Sequence, residues 1–185
     1  FEEAIVAIEN PSKAGYTFTG WSPVVPATMP ANDLTVVATW SANTNTEYTV
    51  NHYTETLING VYAFHSSNIH IGITDTMVTA SPKTIDGFDY NAAMSFPTGN
   101  IEGNGSLVLS LYYDREIYTL TYDVDGVESD VDYLFEEAIV AIENPSKAGY
   151  TFMGWSPALP ATMPANDFTV VATWTANQYT VTFNA

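Results

Sequence analysis

The 185-residue sequence contains no cysteine, only four basic side chains and no long apolar run. Without cysteine there is no disulfide staple, no thiolate nucleophile and no cysteine-ligated zinc, so core packing has to hold the chain folded. Three lysines and one arginine stand against 21 acidic residues, a formal net charge of −17. Such a chain has no basic patch to neutralise phosphates, which argues against nucleic acid and anionic membrane surfaces as partners. The longest aliphatic stretch, Ala4-Ile5-Val6-Ala7-Ile8, is far shorter than the roughly 20 residues that span a bilayer, and no basic segment precedes an apolar one as in a secretion signal. No membrane insertion is expected. Charged residues are also few, 14%, whereas hydrophobics reach 46% and aromatics 14%, a composition too apolar for an acidic disordered tail.

What is present favours strands. Thr, Val, Tyr and Trp are abundant, and β-branched and aromatic side chains suit a pleated, half-buried surface. The chain also repeats itself. Residues 1–40 recur at an offset of 134 as residues 135–174, differing only at Thr19/Met153, Val24/Ala158, Val25/Leu159 and Leu34/Phe168. Between the copies, about residues 46–117 form a different segment. Tyr118, Leu120, Tyr122 and Val124 alternate with Thr119, Thr121, Asp123 and Asp125, the period of a strand with one wet face. Asp125-Gly126 and Asn59-Gly60, each between apolar residues, predict type I′ hairpin turns. Leu107, Leu109, Leu111 and Tyr113 alternate as well, as do Val170, Ala172 and Trp174 and their copies Val36, Ala38 and Trp40. Phe135 to Ile142 has helical character, limited to two turns because Pro145 ends any helix at or before Asn144. A strand reading of the same residues stays open beside it.

Several residue groups could carry chemistry. Asp123, Asp125, Asp130 and Asp132 have the oxygen density that Ca²⁺ needs, but Asp-x-Asp-Gly here lies on a strand and turn, without the later bidentate glutamate of a calcium loop. His65 and His70 form the one close histidine pair, with Asp75 nearby and no cysteine, and are expected in an exposed loop; His52 is expected to pack on the Val50 face of its strand. No nucleophile elbow accompanies the serines. The adjacent carboxylates Glu2-Glu3 and Glu136-Glu137 recur in both copies, which a catalytic pair has no need to do. Lys13, Lys83 and Lys147 sit beside proline or glycine in loop-like sequence, which argues against a buried cross-link to an Asn or Asp side chain. No enzyme activity, cofactor or metal is expected.

The segments Gly15-Tyr16-Thr17-Phe18-Thr19-Gly20-Trp21 and Gly149-Tyr150-Thr151-Phe152-Met153-Gly154-Trp155, each followed by Pro-Ala-Thr-Met-Pro and Ala-Thr-Trp, resemble the Listeria-Bacteroides repeat, the B-repeat of internalin-type bacterial surface proteins. The intervening segment, through Tyr48-Thr49-Val50-Asn51-His52-Tyr53, Asn59-Gly60, Ile85-Asp86-Gly87-Phe88 and Tyr112-Tyr113-Asp114-Arg115, is similar to the mucin-binding-protein-like repeat. The two resemblances imply a mainly β or α+β chain of tandem small β-grasp-like domains in an extended array, each sheet packed on one short helix. On this reading residues 1–45 are a B-type repeat lacking its first strand, 46–117 the mucin-binding-like domain, 118–177 a complete B-type repeat and 178–185 the first strand of a following one. Domains of about 60 residues are marginal without staples, so Tyr16, Phe18, Trp21, Trp40, Tyr150, Phe152, Trp155 and Trp174 are expected in the core or at interdomain contacts.

The resemblances further imply an extracellular, non-enzymatic stalk of a bacterial surface protein, with neighbouring repeats as partners. The alternative is adhesion to a host glycoprotein or glycan, with Tyr53, Tyr62, Phe64, Phe88 and Tyr90 as stacking residues. Finally, Gln178 to Phe183 reads like residues 117–122, and an open strand edge invites strand addition, so head-to-tail complementation between chains is expected.

Overall fold

The computed structural model describes residues 2–6 and 8–184. Phe1, Ala7 and Ala185, which fall at the head of the first copy, in its aliphatic run and at the end of the last segment, lie outside the described residues. Twelve strands and no helix occur among the described residues. The first copy contributes β1 (Tyr16–Ser22) and β2 (Val37–Ala42). The middle segment contributes β3 (Thr46–Glu55), β4 (Tyr62–Gly72), β5 (Met77–Thr79), β6 (Phe88–Phe96), β7 (Thr98–Asn100) and β8 (Val108–Arg115). The second copy and the residues before it contribute β9 (Ile117–Val124), β10 (Val127–Leu134), β11 (Tyr150–Ser156) and β12 (Phe168–Ala176). The chain divides into two compact units, Phe1–Tyr53 with Phe64–Pro82 and Asn91–Tyr112, and Thr54–Ala63 with Lys83–Tyr90 and Tyr113–Ala185.

The second copy is a four-stranded mixed sheet of order β10-β9-β12-β11. Its outer pairs are antiparallel and its central pair, β9 with β12, is parallel. Asp125 (φ 55°) and Gly126 (φ 84°) join β9 to β10 with Val124 opposite Val127, the two positive φ values that the expected type I′ turn requires. Strand alternation then buries Leu120 and Tyr122 with Tyr133, Met163 and Val170, and Tyr118, Ile139, Trp155, Leu159 and Phe168 pack around them. This is the core of the domain, built from inward positions of β9, β10 and β12 and from one loop methionine.

Of the two readings left open for 135–142, the helix does not form. Glu136 takes φ 61°, and the segment runs on as an extended strap whose backbone bonds go to the loop 161–163: Glu136 N to Met163 O (2.9 Å), Met163 N to Glu137 O (2.9 Å) and Ile139 N to Ala161 O (3.1 Å). Tertiary pairing has overridden the helix propensity of Glu and Ala. The strap occupies the place where the β-grasp resemblance implied a helix.

The described part of the first copy keeps the same strap, with Glu2 N on Met29 O (3.0 Å), Met29 N on Glu3 O (2.9 Å) and Ile5 N on Ala27 O (3.0 Å). It has only a two-stranded sheet, β1 with β2. Both copies carry a register shift, between Phe18 and Gly20 and between Phe152 and Gly154. Gly20 and Gly154 sit there at φ 139° and 122°, and Thr39 and Thr173 hydroxyls donate to their carbonyls at 2.9 and 2.7 Å. The bulge explains why the Gly-Tyr-Thr-Phe-x-Gly-Trp motif needs its second glycine.

In the middle segment one sheet has the order β4-β3-β8-β6, and β5 pairs antiparallel with β7. Leu109, Leu111 and Tyr113 are buried along β8, as their alternation predicts. The turn at Asn59-Gly60 differs from expectation. Only Gly60 has positive φ (74°), and a six-residue connection closed by Thr56 N to Val61 O (2.7 Å) replaces the two-residue type I′ turn.

Candidate functional site

Three structural features stand out: a joint within each unit and an apolar groove in the first copy. In the first unit, the first copy meets the middle segment through close backbone packing. Asn43 N donates to Gly15 O (2.9 Å) and Thr74 N to Asn43 O (3.0 Å). The Thr74 hydroxyl donates to Gly15 O (2.8 Å) and shares a 2.7 Å hydrogen bond with Thr46, both threonines being buried. Tyr16 donates to the Asp75 carboxylate. Gly15, at φ 76°, lies so close to Gly103 that a Cβ on it would stand 2.3 Å from Gly103 Cα. Each such hydrogen bond contributes about 1 kcal/mol net, so the junction is a bonded contact.

In the second unit the joint centres on Arg115, the one arginine of the chain, whose side chain is only 9% exposed. Its backbone N donates to Glu55 Oε2 (3.1 Å) and its Nε to Glu55 O (3.2 Å). Its Nη1 donates to Phe135 O (2.5 Å) and to Glu136 Oε2 (2.9 Å). The guanidinium also lies 4.8 Å from the Phe88 ring centre, and Phe88 meets Phe135 edge to face at 5.7 Å. Glu55 Oε1 accepts from Gly60 N (2.6 Å). A planar, delocalised cation with a fork of donors suits this mixture of carbonyls, carboxylates and ring faces in a way that lysine does not. Next to it, the Tyr118 hydroxyl donates to Glu116, and that hydrogen bond, more than burial, pushes the phenol up to about 12.

The third feature lies in the first copy. Ile5, Val6, Ile8, Asn10, Trp21 and Val25 line an apolar groove of about 330 Å³. Their counterparts Ile139, Trp155 and Leu159 in the second copy pack on the core, where Trp155 meets Tyr122 edge to face at 5.0 Å. Tyr122 is fully buried; its hydroxyl has no hydrogen-bond partner among the described residues, and burial pushes its pKa up.

The candidate stacking aromatics divide between the units. In the first, Tyr53 stacks on Tyr112 (5.0 Å) and meets the exposed Phe64 at 6.0 Å. In the second, Tyr62 donates to Asp114, Phe88 is engaged by Arg115 and Phe135, and Tyr90 lies 5.8 Å from Tyr113. The four aspartates hold separate partners: Asp123 accepts from Gly126 N (2.7 Å), Asp125 pairs with Lys147 (2.8 Å), Asp130 accepts from Thr121 (2.7 Å) and Asp132 from Thr119 (2.9 Å). Among the described residues no three of His, Asp and Glu gather as metal ligands.

His65 and His70 lie on β4, not in a loop, and their odd spacing sends them to opposite faces. His70 stacks on Tyr48 at 5.4 Å, while His52 is buried. Lys83 and Lys147 are half-buried where exposure was expected; the Lys147 ammonium lies over the Tyr150 and Trp174 rings at 4.7 and 5.6 Å. Of the eight aromatics expected in the core, Tyr16, Phe18, Trp21, Trp40, Phe152, Trp155 and Trp174 are half-buried and Tyr150 is 43% exposed. Phe18 and Phe152 each meet two tryptophans edge to face, at 5.4 and 5.5 Å and at 5.3 and 5.5 Å. Glu55, Thr74 and Arg115 escaped sequence reasoning as joint residues. A lone arginine in so acidic a chain was the signal that could have found the second joint.

A bulged, aromatic-rich strand pair tied to a strap, present twice, defines a repeat module whose conspicuous contacts are with its neighbours. Residues 1–57 and 118–173 match the Listeria-Bacteroides repeat domain, and the chain belongs to that family. It is similar to Internalin H of Listeria monocytogenes serovar 1/2a, 32% identical across 68% of this chain and 23% of that protein. It is also similar to a protein of Evansella cellulosilytica named "Putative Gly-rich membrane protein", 26% identical across 95% of this chain and 24% of that one. The chain thus spans about a quarter of each of these relatives.

Proposed function

We propose that this chain is part of the non-enzymatic spacer of a bacterial cell-surface protein, a run of modules that carries another domain away from the cell. The observation that carries this reading is the joint at Arg115, where donors and ring faces fix the strap of the second copy to Glu55 and Phe88. A spacer needs modules that hold their neighbours, and buried, multiply bonded contacts supply that where a glycine- or serine-rich linker would not. Family membership and the similarity to Internalin H support the surface location. Near-identical copies fit a length-setting role, because tandem modules extend a chain in proportion to their number. The charge of −17 suits a solvated module that does not stick to its surroundings. The paired carboxylates are used structurally: Glu136 holds Arg115, and Glu137 accepts from Leu134 N (2.8 Å).

Small-angle scattering on chains carrying one, two and three of the 134-residue periods tests this. The maximum dimension is expected to rise linearly with the number of periods; growth near the square root of length, as in a flexible chain, would overturn the spacer.

A second reading, adhesion to a host glycan or glycoprotein, draws on the mucin-binding-like resemblance and on Phe64, 61% exposed beside the Tyr53–Tyr112 stack. A glycan-array signal on the whole chain that disappears with Phe64→Ala would favour it, although the acidic surface disfavours sialylated mucins.

A further inference from the structure

We infer that Asn59 is a site of self-modification: the Gly60 amide nitrogen attacks the Asn59 carboxamide, the Glu55 carboxylate takes the amide proton, and the asparagine becomes aspartate or isoaspartate through a cyclic imide. The sequence holds two Asn-Gly dipeptides, Asn59-Gly60 and Asn104-Gly105. In both, the missing Cβ on the second residue leaves its nitrogen open to ring closure. Both glycines also take nearly the same backbone angle, φ 74° and 75°. The dipeptides are therefore chemically alike, and only their surroundings differ.

Asn59 and Gly60 are exposed in the connection between β3 and β4, and no hydrogen bond holds the Asn59 carboxamide among the described residues. A Cβ on Gly60 would meet nothing within 4 Å, so the space around its nitrogen is open. The Gly60 N–H donates to Glu55 Oε1 at 2.6 Å. Glu55 is buried, and its other carboxylate oxygen accepts from Arg115 N at 3.1 Å. An N–H donor on each oxygen suits the ionised, acceptor-only form. The base thus lies along the N–H bond, in the peptide plane, while the nitrogen attacks through the orbital perpendicular to that plane. Proton removal and ring closure do not compete for one direction.

At Asn104 the same dipeptide is held back. Its Oδ1 accepts from Ser106 N at 3.1 Å, which fixes the carboxamide. Gly105 N donates to the Glu102 carbonyl at 2.8 Å, an acceptor too weakly basic to take the proton. At Asn59 the step conserves atoms and charge. The Gly60 N–Cγ bond forms as the proton passes to Glu55; the Cγ–Nδ2 bond then breaks, and Nδ2 takes that proton and leaves as ammonia. Water opens the imide at either carbonyl, giving aspartate or isoaspartate. Either product adds a negative charge near Glu55, and isoaspartate adds a carbon to the main chain of a connection closed by Thr56 N to Val61 O (2.7 Å). Because Glu55 also holds Arg115, the modification loosens that joint.

The test keeps the unaltered 185-residue chain in mildly alkaline buffer, folded in one sample and unfolded in guanidinium in another, with trypsin digestion at intervals. Lys83 lies between the two dipeptides, so Asn59 and Asn104 fall in different peptides. Mass spectrometry reads the loss of one ammonia for the imide and a gain of one dalton for the acids. In the unfolded chain the two asparagines should convert at similar rates. Folding should speed Asn59 and slow Asn104, and the gain at Asn59 should be at least roughly tenfold, a modest share of what a positioned base supplies. Glu55→Gln keeps an acceptor for Gly60 N but cannot take its proton, so it should return Asn59 to the unfolded rate or below, with circular dichroism checking the fold. Asn59 converting no faster folded than unfolded, Asn104 keeping pace with it in the folded chain, or a folded Glu55→Gln chain that modifies as fast as the unaltered one would each overturn the assignment. The first two outcomes need no variant.

Discussion

The first and second copies share all but four of 40 residues, yet among the described residues only the second buries a core. Strap, bulge and the edge-to-face meeting of phenylalanine with two tryptophans recur in both. These features belong to the repeated residues themselves. Burial of Met163 and Val170 does not: it depends on β9 and β10, which the repeated 40 residues do not include. Local frame and hydrophobic core are therefore separable, and near-identical sequence fixes the first without fixing the second.

The largest expected difference between the copies is a core one. Met163 is 1% exposed beneath β9, so Met163→Ala should destabilise the second copy by about 3 kcal/mol, within the range for deleting a buried methionine side chain. Met29→Ala, at the half-buried equivalent, should cost about 1 kcal/mol. Equal losses in denaturant unfolding would mean that the first copy is as well packed as the second.

The joints reverse that asymmetry. Gly15 and Gly149 have nearly the same backbone, φ 76° and 78°, but a Cβ on Gly15 would meet Gly103 Cα at 2.3 Å whereas a Cβ on Gly149 meets nothing within 4 Å. Gly149→Ala should cost about 1 kcal/mol, the left-handed backbone strain alone. Gly15→Ala adds overpacking, which brings the cost to about 3 kcal/mol, and should release the Thr74 amide to faster hydrogen exchange. Similar costs and unchanged exchange would show that the contact yields easily.

Arg115→Ala removes the donors to Glu55, Phe135 and Glu136 in the second unit. Because Glu136 is 59% exposed, the ion pair itself contributes little, and the expected loss of about 2 kcal/mol comes from the part-buried hydrogen bonds to the Glu55 and Phe135 carbonyls and from the ring faces. Arg115→Lys should recover less than half of it. A silent Arg115→Ala in thermal unfolding would remove the joint from any stiffening role.

How much of this could be read from the sequence follows from the range of each interaction. The Asp125-Gly126 turn and the alternation along β8 and β9 were legible because they are set by two to eight neighbouring residues. The strap stayed open between helix and strand because Glu and Ala favour a helix, while the bonds that decide the matter run to Ala161 and Met163. β4 went unseen because His65, Ser66, Ser67 and Asn68 show no alternation, being on a strand with little buried surface on either face. Thr74 and Arg115 join residues that are 59 and 60 positions apart, beyond any local pattern.

The smallest expected effect concerns the Tyr122 hydroxyl, buried in the core of the second copy without a partner among the described residues. Burial raises its pKa above the ordinary 10.0. Below pH 10 the phenol is neutral in both folded and unfolded chains, so it contributes no pH dependence. Above pH 10 the unfolded chain releases this proton and the folded one keeps it, so stability falls as pH rises toward the folded pKa. The Tyr118 phenol, pushed up to about 12 chiefly by its hydrogen bond to Glu116, acts in the same direction. Tyr122→Phe deletes the orphan hydroxyl without changing the ring, and should stabilise the second copy by up to about 1 kcal/mol at pH 7. It should also make the decline in melting temperature between pH 9.5 and 11 shallower than in the unaltered chain. If the variant loses stability at pH 7, the hydroxyl makes a bond in solution and the second copy's core is more polar than its packing implies.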